Sequence, residues 1–330
     1  MNEQNNNNKK GGNTALIIII SLLVAAFIAL GFLIYHLVNL SHGIKDVIEN
    51  SFDTYADSYD DSYNIGSDEP IAPEPDYPED FEDFEGDPEK LSVQRYDFNG
   101  QDIEVSAHVA HVDVHSSSSY TDQIEIVLYE SDNVRFDIFE DDGDIVINEI
   151  VLVQDIPIFD DQSFISISLP EGYDESLELT STSGDIYISE LYSLDEIDCD
   201  TVSGQILVED SFAQELDASS VSGNITVDSS EIEDCELDTT SGFMEANYCN
   251  FGKIAVASIS GSSQLEYSDF SKFQMATTSG DCIMSLYGPK SDYSVEFASF
   301  SGKLHGHGFE GGSKQIQFAS TSGNLHLTCE

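Results

Sequence analysis

The sequence predicts an all-β fold: a single-pass N-terminal transmembrane helix followed by an extracytoplasmic β-solenoid of about 20-residue Ser-Gly repeats. Three features carry this reading: an uncharged apolar run from Thr14 to Val38, alternating apolar and polar residues from Leu91 onward, and eight Ser-Gly pairs in register after Glu171. The 19 Phe and 15 Tyr of the 330-residue chain are enough to furnish a sizeable core.

Residues 1–13, with four asparagines from Asn5 to Asn8, read as a short cytoplasmic tail. The run at 14–38 is long enough for a helix to cross the roughly 30 Å apolar layer of a bilayer. It is too long for the apolar part of a cleaved signal peptide, and no small-residue cleavage site follows it. Lys9 and Lys10 precede the run and only Lys45 follows before a flood of carboxylates, so the N-terminus is expected in the cytoplasm and the rest outside.

Residues 39–90 read as a stalk, acidic and proline-containing, for which Asp68 to Asp76 (DEPIAPEPD) is typical. Repulsion between like charges, together with proline, favours an extended chain. With 63 acidic and 11 basic side chains the net charge is −52, which repels nucleic acid and other polyanions. Binding to a phosphate backbone is excluded as a function class.

From 91 to 173 the period is two. Val105, Ala107 and Val109 form one set, Ile124, Ile126 and Leu128 another, and Val134, Phe136 and Ile138 a third; Ile145 with Ile147, and Ile165 with Ile167 and Leu169, complete the series. Asp141 to Asp144 (DDGD) sits between two of these runs as a hairpin turn, without the further ligands of a calcium loop. This is the β-rich N-terminal part of the solenoid domain.

The repeat itself occupies 174–330. Its glycines, Gly184, Gly204, Gly223, Gly242, Gly261, Gly280, Gly302 and Gly323, are spaced by 20, 19, 19, 19, 19, 22 and 21 residues, a period expected of stacked turns. Seven and five residues before the glycine lie apolar pairs such as Leu177 and Leu179, Ile197 and Cys199, or Phe273 and Met275; two and four after it come Ile186 and Ile188, or Ile206 and Val208. These columns predict two inward-facing strands per turn, with room for a third side where Phe212, Ile232, Phe251 and Phe270 close the core. Stacking at about 4.8 Å per turn gives a rod roughly 35 to 40 Å long.

Ser or Thr stands three residues before each glycine, as at Thr201 and Ser220, and Ser one before; continued alternation places both columns inward as a hydroxyl ladder. Eight near-equivalent copies do not single out a nucleophile. The glycine is expected to supply an unusual backbone angle at each corner, with Asp185, Asn224, Asp281 and Asn324 suited to the same turn. Five scattered cysteines, Cys199, Cys235, Cys249, Cys282 and Cys329, indicate no disulfide framework; Cys199, Cys235 and Cys282 fall on core positions. Eight residues before the glycine the sign of charge changes from Glu196, Glu215 and Asp234 to Lys253 and Lys272, a neutralised charge ladder or a local contact surface.

One cluster has ligand chemistry: His111, Asp113 and His115 share a strand face, with His108 near them, and His305 and His307 are comparable. Side chains two apart on a strand stand roughly 7 Å from one another, too far to share a metal ion without bending, so no metal site is assigned. No catalytic residue and no cofactor is expected either. A polysaccharide lyase needs cations against its acidic substrate, yet Arg is absent after Arg135.

The run Phe164 to Pro170, then Leu177, Leu179 and Ser183-Gly184-Asp185-Ile186, resembles the bacterial putative-adhesin family of β-strand-repeat domains of unknown function, over about residues 105–330. The resemblance implies a short cytoplasmic end, a membrane anchor and an exported solenoid, mostly in Gram-positive bacteria, and brings no catalytic residues. The expected function is that of a non-enzymatic cell-surface protein touching a cell-wall component, a surface protein or a glycan. The alternative is an accessory or sensor protein of envelope stress, acting through a membrane partner.

Overall fold

The computed structural model describes residues 88–117, 122–141, 143–152, 163–309 and 311–329. The expected tail and transmembrane segment, and residues 39–87 of the expected stalk, lie outside the described residues. Among the described residues no helix is long and apolar enough to cross a membrane. Apart from the 3-10 turns Pro88–Lys90 and Lys290–Asp292, the regular structure of the described residues is entirely β.

The N-terminal part holds β1 (Leu91–Asp97), β2 (Ile103–Ser106), β3 (His111–Ser116), β4 (Gln123–Tyr129), β5 (Val134–Asp141), β6 (Asp144–Val151) and β7 (Phe164–Leu169). Each repeat then contributes one strand before its glycine corner and one after. These are β8 (Leu177–Ser181) with β9 (Ile186–Ser189), β10 (Leu194–Thr201) with β11 (Ile206–Glu209), β12 (Phe212–Ser220) with β13 (Ile225–Asp228), and β14 (Glu231–Thr239) with β15 (Met244–Asn247). The series continues with β16 (Asn250–Ser258) and β17 (Ser263–Glu266), β18 (Asp269–Thr277) and β19 (Cys282–Leu286), β20 (Tyr293–Ser299) and β21 (Leu304–His305), and β22 (Lys314–Ser320) and β23 (Leu325–Cys329).

Equivalent strands of successive repeats pair in parallel, so each repeat is one rung of a two-sheeted stack. The strands before the corners form an 11-stranded sheet, β20-β22-β18-β16-β14-β12-β10-β8-β2-β6-β5; those after form a 12-stranded one, β1-β4-β7-β3-β9-β11-β13-β15-β17-β19-β23-β21. Period-two burial aims the predicted columns inward: Leu179, Ile197, Cys199, Leu216, Phe273 and Ile316 are fully buried. The Asp141–Asp144 turn joins β5 and β6 as an antiparallel hairpin.

Rung order is not chain order. β22 and β23 slot between the β18/β19 rung and the β20/β21 rung, so the last repeat is interior and the one before it is terminal. At the other end β6 and β7 lie outside β2 and β3, with β5, β4 and β1 added antiparallel beyond them.

The expected third side does not form. Its residues extend the front of the long strand instead: Ala213, Ile232, Phe251 and Phe270 align and are buried, whereas Phe212 lies one place earlier, opposite Glu231, and is exposed. The register steps over Gln214, Glu233, Gly252 and Ser271, a stacked irregularity that re-aims the strand towards the second corner.

The corners also differ from expectation. None of the eight repeat glycines has a positive φ; a β-carbon on Gly204, Gly223 or Gly280 would instead overlap the carbonyl oxygen of the preceding repeat's glycine. Glycine is needed for close approach between rungs, not for a special angle. Positive φ occurs at the second corner, six residues on, at Glu190, Asp210, Ser229, Tyr248 and Tyr267 (46–57°).

Of the two hydroxyl columns only the one three residues before the glycine turns inward. There Ser220 Oγ accepts the Gly223 N–H at 2.7 Å and Thr277 Oγ1 the Gly280 N–H at 2.8 Å. The serine beside the glycine faces out and donates to the neighbouring rung, as from Ser222 Oγ to the Val202 carbonyl at 3.2 Å. Alternation fails there because the chain is already turning. Asp185, Asn224 and Asp281 link rungs by accepting the N–H of Gln205 (2.7 Å), Phe243 (3.0 Å) and Asn324 (2.7 Å).

Candidate functional site

The His111–His115 face lies on the outer side of β3, flanked by β7 and β9. Parallel register sets Asp113 beside Ser166 and His115 beside Ser168. His115 Nδ1 stands 3.0 Å from Asp113 Oδ2 and its Nε2 2.9 Å from Ser168 Oγ, a serine–imidazole–carboxylate chain. Burial alone would lower the pKa of His115, but the hydrogen bond and charge of Asp113, with Glu190 and Glu125 nearby, outweigh it and the net shift is upward.

Two of three requirements for acyl transfer are therefore met, a nucleophile touching a base and a base touching an orienting carboxylate. The third, a pair of free amides for an oxyanion, is not supplied at Ser168: β7 is paired on both edges, with β3 and with β4. The chain reads as an outward polar contact that locks the β3–β7 register.

His111 belongs to a separate contact, its Nδ1 lying 3.2 Å from the Asp185 backbone nitrogen and 3.5 Å from Asp185 Oδ2. His305 stacks on His326 with ring centroids 4.2 Å apart, while the His307 carbonyl accepts from Lys290 Nζ. Among the described residues no three His, Cys, Asp or Glu side chains are grouped to hold a metal ion. The five cysteines are free, four of them buried. Burial pushes the Cys249 and Cys282 thiols up to about 12, so both stay protonated and serve as core.

The outer face of the 11-stranded sheet is strongly acidic over its middle rungs. Glu178, Asp198, Asp217 and Glu236 stand in one register column, and Asp200 and Asp238 lie two places along. Burial and the charges of its neighbours raise Asp198 to about 7, Asp217 to about 8 and Asp238 to about 7. One rung further, Lys253 sits between Asp234 and Lys272 in register and bonds Asp234 at 2.7 Å, so the sign change is partly a neutralised ladder.

The most unusual exposed feature is at the second corner. Tyr248 and Tyr267, on successive rungs, both have left-handed backbone angles (φ 54° and 51°) and stack with ring centroids 5.5 Å apart. Tyr248 is 64% exposed, and Tyr287, which follows β19, is 69% exposed. Bulky side chains seldom adopt this backbone region, and earlier rungs fill the same place with Glu190, Asp210 and Ser229. The pair is visible in the sequence only after alignment on the glycine, six residues before each tyrosine.

These elements define an all-β repeat domain in which two parallel sheets are built rung by rung. The chain belongs to the Toastrack DUF4097 family, whose model matches residues 100–328. The family resemblance seen around Phe164–Ile188 is thus borne out. A crystal structure of a "putative adhesin" from Bacteroides fragilis is similar at 13% identity, with 72% of this chain and 96% of that one covered and a TM-score of 0.49. A "putative adhesin" from Parabacteroides distasonis is similar at 12% identity, with 72% and 97% covered and a TM-score of 0.46. A "putative lipid binding protein" from the same species has 13% identity, 72% and 97% coverage and a TM-score of 0.45. Likenesses this distant carry no functional argument. No curated protein matches the chain.

Proposed function

We propose that the protein is a non-enzymatic, single-pass membrane-anchored surface protein whose repeat domain contacts another surface component through the C-terminal half of the stack. The stacked pair Tyr248 and Tyr267 carries this reading. Two solvent-exposed aromatic residues held at positive φ cost stability, of order 1–3 kcal/mol each. Tyrosine is the residue type most often used to make contact area with a polar handle. The acidic middle rungs repel anionic polymers, so the partner is a surface protein or a neutral glycan. The anchor and the cytoplasmic N-terminus rest on the apolar run at 14–38 and on Lys9 and Lys10.

The test is retention of isolated cell-wall and surface-protein fractions by the immobilised full chain and by a Y248S/Y267S variant. Ser229 occupies the same corner position one rung earlier, so serine fits the backbone there. Loss of retention with an unchanged melting temperature supports the contact. Equal retention by both proteins removes the tyrosine face from the reading. Protease added to intact cells, cutting a C-terminal but not an N-terminal epitope, tests the orientation separately.

A further inference from the structure

We infer that the terminal β20/β21 rung is a self-association edge, and that two copies of this chain join end to end by antiparallel pairing of β20 with the partner's β20.

The first observation is a core left open along Val295 and Phe297, with Tyr293 at the start of the same strand buried. β20 pairs with β22 on one side, and among the described residues no strand pairs with its other side. In the rung behind it Ile316 and Phe318 are buried to within 2% and Leu325 completely. Their counterparts in the terminal rung, Val295 and Phe297, are only partly buried, and Leu304 is 38% exposed. Phe297 stacks on Phe318 at 5.5 Å and 3° with its other face uncovered by a further rung. Phe300, at the adjoining corner, is 92% exposed.

The second observation is electrostatic. The chain carries −52 in total, yet residues 268–330 contain six acids and four bases, a net of −2. A second copy can approach this end without the repulsion it meets elsewhere. At the opposite end the edge strands carry their own protection: β5 has Arg135, Asp137, Glu140 and Asp141, and β1 has Arg95 and Asp97. β20 has a single charge, Glu296, and no proline.

The third is self-complementarity. A two-fold axis normal to the sheets and passing through Phe297 makes the two edges antiparallel and keeps each sheet in line with its equivalent. Phe297 then faces the partner's Phe297 and Val295 the partner's Ser299, all on the inward side. On the outer side Glu296 faces the partner's Ala298, so no like charges are opposed. Only one end of each rod is unprotected, so the pairing closes as a dimer and does not grow into a fibre. With the axis at Phe297 the paired stretch is Val295–Ser299, five residues or about 17 Å, and the sheets lie about 10 Å apart, so the contact is smaller than a standard interface and reversible, with a dissociation constant in the upper micromolar range expected.

Sedimentation equilibrium of the full chain in density-matched detergent, from about 1 to 200 μM, reads this directly. Ala298→Asp sets a carboxylate opposite the partner's Glu296 twice over and is expected to weaken the dimer about tenfold or more; Ala298→Lys sets an amine there and is expected to tighten it. Ala298 faces outward, so neither change disturbs the monomer core, and thermal melts of both variants verify this. A chain that is monomeric at 200 μM overturns the inference. So does a dimer whose dissociation constant is the same in both variants, or one in which hydrogen exchange of the β20 amides does not slow as concentration rises.

Discussion

Glu149 reaches from β6 to the turn between β2 and β3, where its Oε2 accepts the His108 N–H at 2.6 Å. The same carboxylate takes the Val109 N–H at 3.0 Å and the Ala110 N–H at 3.0 Å. Ala110 stands in the β2/β3 rung where the repeats have glycine, since its carbonyl meets Gly184 as each glycine carbonyl meets the next. A buried side chain (5% exposed) therefore satisfies three amides that the outermost rungs leave unpaired.

Removing it leaves those donors without partners. Glu149→Ala is expected to cost at least about 3 kcal/mol in denaturant unfolding, because hydrogen bonds to a charged acceptor are worth about 1.5–3 kcal/mol each. Glu149→Gln keeps the shape and one acceptor oxygen and should cost about half as much. Equal losses would show that volume, not the acceptor, matters.

The glycine corners make a second prediction. Gly223→Ala drives a methyl group into the Gly204 carbonyl and must push neighbouring rungs apart, so a loss of roughly 2–4 kcal/mol is expected. Ser222→Ala, one residue away, removes only an exposed 3.2 Å bond to Val202 and should cost less than about 1 kcal/mol. The contrast between neighbours separates close approach from hydrogen bonding.

The carboxylate column makes stability fall with rising pH. Asp198, Asp217 and Asp238 hold their protons up to about 7 or 8 in the fold, whereas in the unfolded chain they release them near 4. A raised folded-state pKa contributes stability that is full below the unfolded value and lost as pH rises through the folded one. The melting temperature should therefore drop by about 5 °C or more between pH 5 and pH 9, given roughly 2–4 °C per kcal/mol for a domain of this size. Asp217→Asn, which cannot ionise between Asp198 and Glu236, should flatten that slope; an unchanged profile would show that the column is not responsible.

The Ser168–His115–Asp113 contact should be chemically silent. A fluorophosphonate probe is expected not to label Ser168, because the β7 amides are engaged in ladders on both sides. Labelling that disappears in His115→Ala would reverse the non-enzymatic reading.

Much of the stack is legible in the sequence because each rung writes its own turn: the glycine, the hydroxyl three residues earlier and the apolar pairs are local signals. Rung order is not, since nothing in a rung specifies which neighbour it meets. The only trace is the lengthened spacing to Gly302 and Gly323. The extra residues form the Tyr287–Asp292 and Gly306–Gly312 connections, where Gly288, Gly306, Gly308 and Gly311 adopt positive φ and carry the chain past one rung and back. Ser168 escaped the sequence reading of the His115 face for a similar reason: 53 residues separate two side chains that parallel pairing sets side by side. Strict alternation would turn the serine beside each glycine inward, but a corner does not obey it.

The interior seat of β22 and β23 changes what a truncation before Lys314 does. In an ordinary array a premature stop removes the last unit and leaves a shorter object. Here it would extract a middle rung, leaving Tyr293–Ser299 without the strand it lies against and β18 with a bare edge. Strands later in sequence than β20 and β21 hold that terminal rung in place, so the stack cannot be completed by one-way zippering in chain order.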